Sequence, residues 1–436
     1  MISLRILLSS LLLGSVSAQP VSMDEAYGVL TPAKETSNRS ERPSGIKGKV
    51  LTGYQGWFRA EGDGSGMGFY HYQKGRKFEP GACTIDLWPD LTEFDQDEKF
   101  ATSFKMKDGS AAEVFSSLHP KTVNRHFKWM NDYGIDGAFV QRFGLVGAKE
   151  YRSYNQLKSD NQKLMHCRDA ANANGRCYAL MYDLSGLKPE DFKSLARDWK
   201  KLRTEMKLGT DPNDRAHLQY DEKPLVAIWG VGFNEDRDYN LEDAEWFIRL
   251  LKQNPEWGGM SIMLGVPFGW REQVRDATKD ERFHEVLKLA DIISPWAVGR
   301  YHKVDFKSGK YVANQVADRK WCEVNKIAYL PVLYPGFSWH NMNGEKLGAI
   351  PRRKGRFLWE QFVGTRAAGV ETAYIAMFDE IDEATAIFKC TNHPPVGEGV
   401  RFLDYEGLPS DHYLKLTGQG GKLLRGELPS SKTSNK

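Results

Sequence analysis

The sequence lacks a hydrophobic run long enough to span a bilayer, which takes about 20 apolar residues. Near its start, an apolar stretch runs only from Ile6 to Leu13, with Arg5 before it and the small residues Val16-Ser17-Ala18 after it. This layout is typical of a signal peptide cleaved after Ala18. We therefore expect residues 1–18 to be removed and the mature protein to be secreted or periplasmic, without membrane insertion.

The chain also lacks a concentration of charge of one sign. Its 60 lysines and arginines nearly balance its 57 aspartates and glutamates, for a net charge of +3, and the basic residues are scattered. Binding to a phosphate backbone needs a clustered basic face. This distribution makes nucleic acid a poor candidate partner, and we expect none.

Cysteine is scarce, and the common metal and nucleotide motifs are missing. The five cysteines fit no metal-ligand spacing, and the ten histidines form no His-Glu-x-x-His pair. Glycines at alternate positions from Gly62 to Gly68 do not have the spacing of a dinucleotide-binding loop. We expect neither a metal nor a cofactor. Cys167 could pair with Cys177 in an exported protein, and the alternative is that the cysteines are buried thiols.

What the sequence does contain is an alternation of short apolar runs with helical patterns. The runs are almost continuously apolar, as in parallel strands covered on both faces. Eight runs occur: Val50–Phe58, Gly137–Phe143, Cys177–Leu184, Pro224–Phe233, Met260–Phe268, Asp291–Val298, Ile327–Tyr334 and Thr372–Glu380. They predict an α/β protein, a single (β/α)8 TIM barrel over residues 46–417, with an open doubly wound sheet as the alternative. Residues 19–45 and 418–436 are polar and are predicted to be a disordered linker and a disordered tail.

Active sites of β/α barrels lie at the C-terminal ends of the strands. In this chain those ends are rich in polar and aromatic residues, and aromatic rings stack on sugar faces. The alternative for each residue is packing at the barrel mouth. The residues assigned to substrate binding by this position are Tyr54, Gln55, Trp57, Gln141, Arg142, Tyr182, Asp183, Trp229, Trp296, Tyr334, Asp379 and Asp382.

Four carboxylates fall within five residues after the eighth run: Asp379, Glu380, Asp382 and Glu383. Like charges this close repel, so the cluster needs a physical reason. Cleavage of a glycosidic bond supplies one, because it uses one protonated and one ionised carboxyl group. Glu380 and Glu383 would project to the same side of a helical turn, and we assign them as the catalytic pair. The alternative is a solvated acidic turn or a helix N-terminus.

The segment Phe378-Asp379-Glu380-Ile381-Asp382-Glu383-Ala384-Thr385-Ala386-Ile387 resembles the Phe-Asn-Glu-Trp-His-Glu-Gly-Thr-Gln-Ile motif of endo-α-mannosidases, glycoside hydrolase family 99. From Gly53-Tyr54-Gln55-Gly56-Trp57-Phe58 onward, over residues 46–415, the chain is similar to the broader 71/99-like group of exported bacterial proteins, often labelled xylosidase or arabinosidase. The segments Phe127–Met130, Tyr133–Gly137 and Met181–Gly186 support this resemblance.

The resemblance implies a glycoside hydrolase that cleaves a complex polysaccharide or glycan with retention of configuration. By position, Glu380 would act as the base on the sugar 2-hydroxyl, and Glu383 would be the general acid/base. Asp379, Ile381 and Asp382 stand where the family motif has Asn, Trp and His. These differences alter the pocket around the two glutamates and bear on its specificity for mannose.

Three alternatives stay open at this point. One is a barrel that binds glycan without cleaving it, since a fold does not fix a function. Another is a hydrolase of arabinoxylan-type or sulfated polysaccharide. The third is a structural protein that binds calcium through the acidic cluster.

Overall fold

The computed structural model describes residues 21–34, 37, 40–145, 154–235 and 237–429, so the predicted signal peptide lies outside the described residues. The helices are α1 Met23–Gly28, α2 Pro120–Asp132, α3 Asn155–Ala173, α4 Phe192–Thr204, α5 Leu241–Gln253, α6 Phe283–Leu287, α7 Lys310–Val324, α8 His340–Asn343, α9 Arg356–Ala367 and α10 His412–Leu424. Within these ranges, no helix has the length and apolar character needed to cross a membrane.

The strands are β1 Val50–Tyr54, β2 Phe100–Lys105, β3 Ala111–Val114, β4 Gly137–Phe143, β5 Cys177–Asp183, β6 Gln219–Tyr220, β7 Lys223–Trp229, β8 Ser261–Val266, β9 Ile292–Pro295, β10 Ala328–Tyr329, β11 Val332–Leu333 and β12 Ala373–Ile375. Each of the eight predicted runs therefore overlaps a strand. The run Gly137–Phe143 matches β4 from end to end.

The main sheet is parallel and closes on itself through the seventh predicted run. From β1 it continues in one direction through β4, β5, β7, β8 and β9 to β10, and in the other through β12 to β11. β10 pairs with β9, whereas β11, three residues further on, pairs with β12. Pro331 lies between the two halves and has no N–H to donate to a ladder. The two halves of this strand join the ends of the sheet, which confirms the predicted (β/α)8 barrel.

Alternation along each strand divides the apolar residues between two layers. Side chains on one face, such as Leu180 and Ile228, are buried against the helices, and those on the other, such as Met181 and Ala227, fill the barrel interior. This two-sided burial explains why the runs are almost continuously apolar.

The sequence did not predict the antiparallel pair β2 and β3, or the short strand β6 that pairs with β7. β2 alternates buried and exposed side chains, and β3 contains only four residues. Neither strand has the continuous apolar run that marks a strand of the barrel wall.

The prediction of a disordered linker and tail is wrong for the described parts of both segments. α1 buries Tyr27, whose hydroxyl donates a hydrogen bond of 2.7 Å to Asp198. α10 packs against α9 and buries Leu423 and Leu424. A few apolar residues on one face of each helix are enough to pack it against the barrel. The average composition of a polar segment does not reveal them.

The cysteines are buried thiols. All five lie within the described residues, where no disulfide joins them. The thiol of Cys177 donates to the carbonyl oxygen of Asp136 at 3.3 Å. Pairing of Cys167 with Cys177 is therefore not observed: Cys167 lies on α3, whereas Cys177 opens β5.

Close approach of two strands makes Gly137 intolerant of a side chain. A Cβ atom there would lie 2.0 Å from the carbonyl oxygen of Cys177, which belongs to the neighbouring backbone. We expect Gly137→Ala to lower the free energy of unfolding by about 1–3 kcal/mol, the usual cost of overpacking. Gly28→Ala is the control, since a Cβ at Gly28 meets nothing within 4 Å. Urea denaturation measures both, and equal midpoints would contradict this reading of the sheet.

Candidate active site

A cleft of about 410 Å³ opens at the C-terminal ends of the barrel strands. This volume is within the range of small-molecule sites. Both predicted catalytic glutamates, Glu380 and Glu383, line it. So do the predicted binding residues Gln55, Trp57, Gln141, Asp183, Trp229 and Trp296.

Aromatic rings form much of the cleft wall. Trp57 stacks with Phe143 at a centroid distance of 5.7 Å, and Trp229 meets Trp296 edge to face at 5.5 Å. The indole N–H groups of Trp57 and Trp229 are buried and have no acceptor among the described residues. Phe337 and Trp339 line the cleft as well. Such a wall suits a ligand that carries both apolar faces and hydrogen-bond acceptors.

Glu380 is held in a fixed orientation at the base of the cleft. It is only 3% exposed. Gln55 Nε2 donates to its Oε1 at 2.8 Å, and the hydroxyl of Thr385 donates to its Oε2 at 2.8 Å. Burial and the neighbouring charges of Glu383 and Asp382 raise the pKa of Glu380 well above its ordinary value, while the two hydrogen bonds act in the opposite direction.

Glu383 lies half-buried on the turn formed by residues 381–384. Burial, followed by the charge of Asp382, raises its pKa to about 8, and an interaction with the Trp339 indole opposes this shift. A carboxyl group with this pKa keeps its proton at neutral pH and can donate it.

The acidic segment is not the solvated turn that was the alternative at the sequence level. Asp379 is fully buried and accepts the backbone N–H groups of Gln55 at 2.8 Å and Gly56 at 2.7 Å. Burial raises its pKa to about 6. Asp379, which was assigned to substrate binding by its position, does not line the cleft; its carboxylate anchors the chain that follows β1.

Asp382, which was also assigned to substrate binding by its position, does not line the cleft. It is 1% exposed and its Oδ2 lies 3.3 Å from Nδ1 of His71. Burial raises the pKa of Asp382 to about 8. The His71 ring stacks on Trp57 at 3.9 Å with an interplanar angle of 5°. Asp382 thus supports the back of an aromatic wall of the cleft.

Strand alternation corrects two further assignments. Gln141 and Asp183 face the cleft, where Gln141 Nε2 donates to Asp183 Oδ2 at 2.7 Å. Arg142 and Tyr182, one residue away on β4 and β5, face the helices instead. Arg142 Nε donates to Asp198 at 2.8 Å, and the Tyr182 hydroxyl donates to the same carboxylate at 2.7 Å.

Tyr54 and Tyr334 are likewise packing residues. The Tyr54 hydroxyl lies 3.0 Å from Nδ1 of His126, in the layer between strands and helices. The Tyr334 hydroxyl donates to the backbone carbonyl of Tyr301. Neither ring lines the cleft, because both are fully buried.

The sequence analysis missed cleft residues that lie beyond the strand ends. Glu235 and Arg300 form an ion pair of 3.1 Å, and Arg300 also contacts Asp276 at 2.7 Å. Loop lengths set the positions of these residues, and an apolar run cannot indicate them. Thr385 was not assigned a role from the sequence, although it belongs to the segment that resembles the endo-α-mannosidase motif.

One group of carboxylates among the described residues is close enough to hold a metal ion: Asp95, Asp97 and Glu98. Lys121 forms ion pairs with Asp95 and Asp97, at 3.2 and 2.9 Å, and Arg125 pairs with Glu98. Each of the three carboxylates is therefore already paired with a cation, and the group does not line the cleft.

The fold and site together define a closed (β/α)8 barrel with an interacting carboxyl pair after its last strand. No protein-family model matches the chain, and a comparison with curated proteins gives no match.

The GH99 endo-α-mannosidase from Bacteroides thetaiotaomicron has a similar structure, with a TM-score of 0.59 at 14% identity over 88% of this chain and 99% of that one. A structure of that enzyme with bis-tris propane gives 0.58 at 15% identity, over 88% and 99% of the two chains. A glycoside hydrolase-like protein gives 0.50 at 11% identity, over 91% of this chain and 98% of that one. At these identities the likeness is one of fold, and it agrees with the predicted barrel.

Protonation of Glu383 should make stability depend on pH. Its pKa is about 8 in the folded chain against an ordinary 4.5, so the folded state holds more protons than the unfolded state between these values. The free energy of unfolding should therefore fall as the pH rises from about 4.5 to about 8. We expect Glu383→Gln to remove part of this decline and to raise the melting temperature at pH 8.

Scanning calorimetry between pH 4.5 and 9 measures this effect. Glu398→Gln is the control, because Glu398 is exposed and does not line the cleft. If the melting temperatures of the wild type and Glu383→Gln depended on pH in the same way, Glu383 would not be the group whose protonation stabilises the fold.

Proposed function

We propose that the protein is an exported glycoside hydrolase whose catalytic residues are Glu380 and Glu383. One observation carries this proposal: two interacting carboxyl groups, Glu380 and Glu383, line one cleft between aromatic walls. Glycosidic cleavage needs two carboxyl groups at one site, one that carries a proton and one that is ionised, and aromatic platforms suit the faces of sugar rings. The structural likeness to a GH99 endo-α-mannosidase supports the proposal. Export is proposed from the signal-peptide layout of residues 1–18.

The pair supports a mechanism that proceeds through the sugar 2-hydroxyl. Glu383 donates its proton to the glycosidic oxygen as the C1–O bond breaks. Glu380 takes the proton of the 2-hydroxyl, and the freed oxygen attacks C1 to form a 1,2-epoxide. Glu383 then accepts a proton from the water that opens the epoxide at C1, and Glu380 returns its proton to O2. Two inversions at C1 leave the configuration of the product unchanged.

The hydrogen bonds at Glu380 fit the role of base. Donors at both oxygens, from Gln55 and Thr385, stabilise its charged form against burial and the neighbouring charges, which raise its pKa. Glu383 is the more accessible of the two and keeps its proton at neutral pH, which fits the general acid.

The charges of the cleft favour a neutral glycan as substrate. Its lining includes five carboxyl groups, Asp183, Glu235, Glu345, Glu380 and Glu383, and one basic residue, Arg300. Arg300 is already paired with Glu235 and Asp276. A sulfate or uronate in the cleft would lack a cationic partner and meet repulsion. We therefore favour a neutral polysaccharide over the sulfated alternative.

We expect Glu383→Gln and Glu380→Gln each to lower kcat by at least about 100-fold, since each removes a proton-transfer group. Substrate binding should be retained, because the glutamine keeps the shape of the side chain. The mature protein would be incubated with α-mannans, α-glucans and arabinoxylans, and released sugars would be quantified. Glu398→Gln, with the same chemical change at an exposed site, should keep wild-type activity.

Two outcomes would count against this assignment. Unchanged release by both variants would remove the two glutamates from the mechanism. Saturable binding by the wild type without any product would favour a barrel that only binds glycan.

A matched pair of substrates tests the preference for neutral glycans. We expect a neutral polysaccharide to be cleaved at least about tenfold faster than its sulfated derivative at low salt, because repulsion from the cleft carboxylates is least screened there. Raising the salt concentration should narrow the difference. Faster cleavage of the sulfated form would overturn the preference for a neutral substrate.

A further inference from the structure

A second cavity lies outside the barrel wall and has a volume of about 700 Å³. It is bounded by the end of β9, by β10 and β11, and by the first half of α7. Among the described residues, none lines both this cavity and the catalytic cleft. At the end of β9 the side chains alternate, so that Pro295 and Ala297 face the cavity and Trp296 and Val298 face the cleft.

Aromatic rings form one wall of this cavity. Tyr301 lines it, and its ring lies 5.8 Å from that of Phe268 and 5.5 Å from that of Tyr311. Tyr329, on β10, lines the cavity as well. The rings offer both apolar faces and hydroxyl groups, which suits a polar ring compound better than an aliphatic chain.

The rim of the cavity is cationic. Arg275, Lys303 and Lys310 line it and are exposed, and in the described part of the chain none of the three forms an ion pair with a carboxylate. The Arg275 guanidinium lies over the Phe268 ring at 5.5 Å, which holds the charge beside the aromatic wall. The cavity is also lined by Arg271, Glu272 and Asp305. Its four basic residues therefore outnumber its two acidic residues.

A buried polar side chain also lines the cavity. Gln315 is 5% exposed, and its amide interacts with the hydroxyl of Tyr311, which lines the cavity too. An amide held at the wall in this way can offer a further hydrogen bond to a ligand hydroxyl.

From these features we infer that the cavity is a binding site for an acidic sugar, a ring that carries a carboxylate or a sulfate. The ring would lie on the aromatic wall, the anion would meet the cationic rim, and a hydroxyl would form a hydrogen bond with the Gln315 amide. The acidic cleft would repel the same ligand, so the two sites differ in charge. This inference does not depend on the proposed hydrolase activity.

Titration calorimetry on the mature protein tests the inference with glucuronate and glucose 6-sulfate as probes. We expect saturable binding of one molecule per chain for at least one acidic sugar, weakened by salt. Glucose, which has the ring without the anion, and inorganic sulfate, which has the anion without the ring, should each bind at least about tenfold more weakly.

Variants then locate the site. We expect the double variant Lys303→Gln and Lys310→Gln to weaken binding at least about tenfold. The matched control is Lys307→Gln with Lys320→Gln, which removes the same charge from exposed residues that do not line the cavity. A further variant, Ala313→Trp, places bulk on the exposed face of α7 at the cavity and should also weaken binding. Melting temperatures establish that each variant is folded.

Binding should persist in Glu383→Gln, since that residue lies in the cleft. The inference is overturned if no acidic sugar binds saturably, if glucose or sulfate binds equally well, or if the folded cavity variants keep wild-type affinity. If Glu383→Gln loses catalysis but still binds the acidic sugar, the result supports both the catalytic role of Glu383 and a separate binding site in the cavity.

Discussion

The carboxylate of Asp379 joins the ends of the first and last strands of the barrel, and the geometry of the cleft depends on it. Its two oxygens accept the backbone N–H groups of Gln55 and Gly56. This fixes the chain so that the Gln55 amide reaches Glu380, and Trp57 follows as a wall of the cleft. An aspartate has two acceptor oxygens for these two donors, whereas the asparagine of the family motif offers one.

The site gathers acidic groups that a stable protein would otherwise keep apart. Buried carboxyl groups near one another resist ionisation, and a rigid frame must hold them in place. Part of the compensation comes from Lys163, which is buried and donates to the backbone carbonyls of Gln55 at 3.2 Å and Gln141 at 2.7 Å. Its positive charge lowers the pKa of Asp379 against the effect of burial. The unfavourable free energy of burying these carboxyl groups is thus partly offset by a basic residue in the surrounding wall.

Much of the fold could be predicted because strands covered on both faces need continuous apolar runs. Such runs located every strand of the barrel, yet they carry no information about which face a residue takes. That is why Arg142 and Tyr182 were placed with Gln141 and Asp183, although only the latter pair faces the cleft. A position at a strand end places a residue near the cleft, and strand alternation decides whether its side chain faces the cleft or the helices.

The rest of the site depends on contacts between residues distant in sequence. His71 meets Asp382 across 311 positions of the chain, and no local pattern relates them. The same holds for Arg300 and Glu235, which lie in different loops. The carboxyl pair itself was predictable, because both members lie in one short segment.

The division of the seventh strand makes the barrel wall uneven. β10 and β11 contain two residues each and β12 three, whereas β4 and β5 share a ladder of seven paired positions. A wall closed through such short ladders has a seam, and we expect local opening to begin there. Amide protons along this seam would exchange with solvent sooner than those of β4 and β5. Local opening of the barrel would then be confined to the side where β10 and β11 close the sheet.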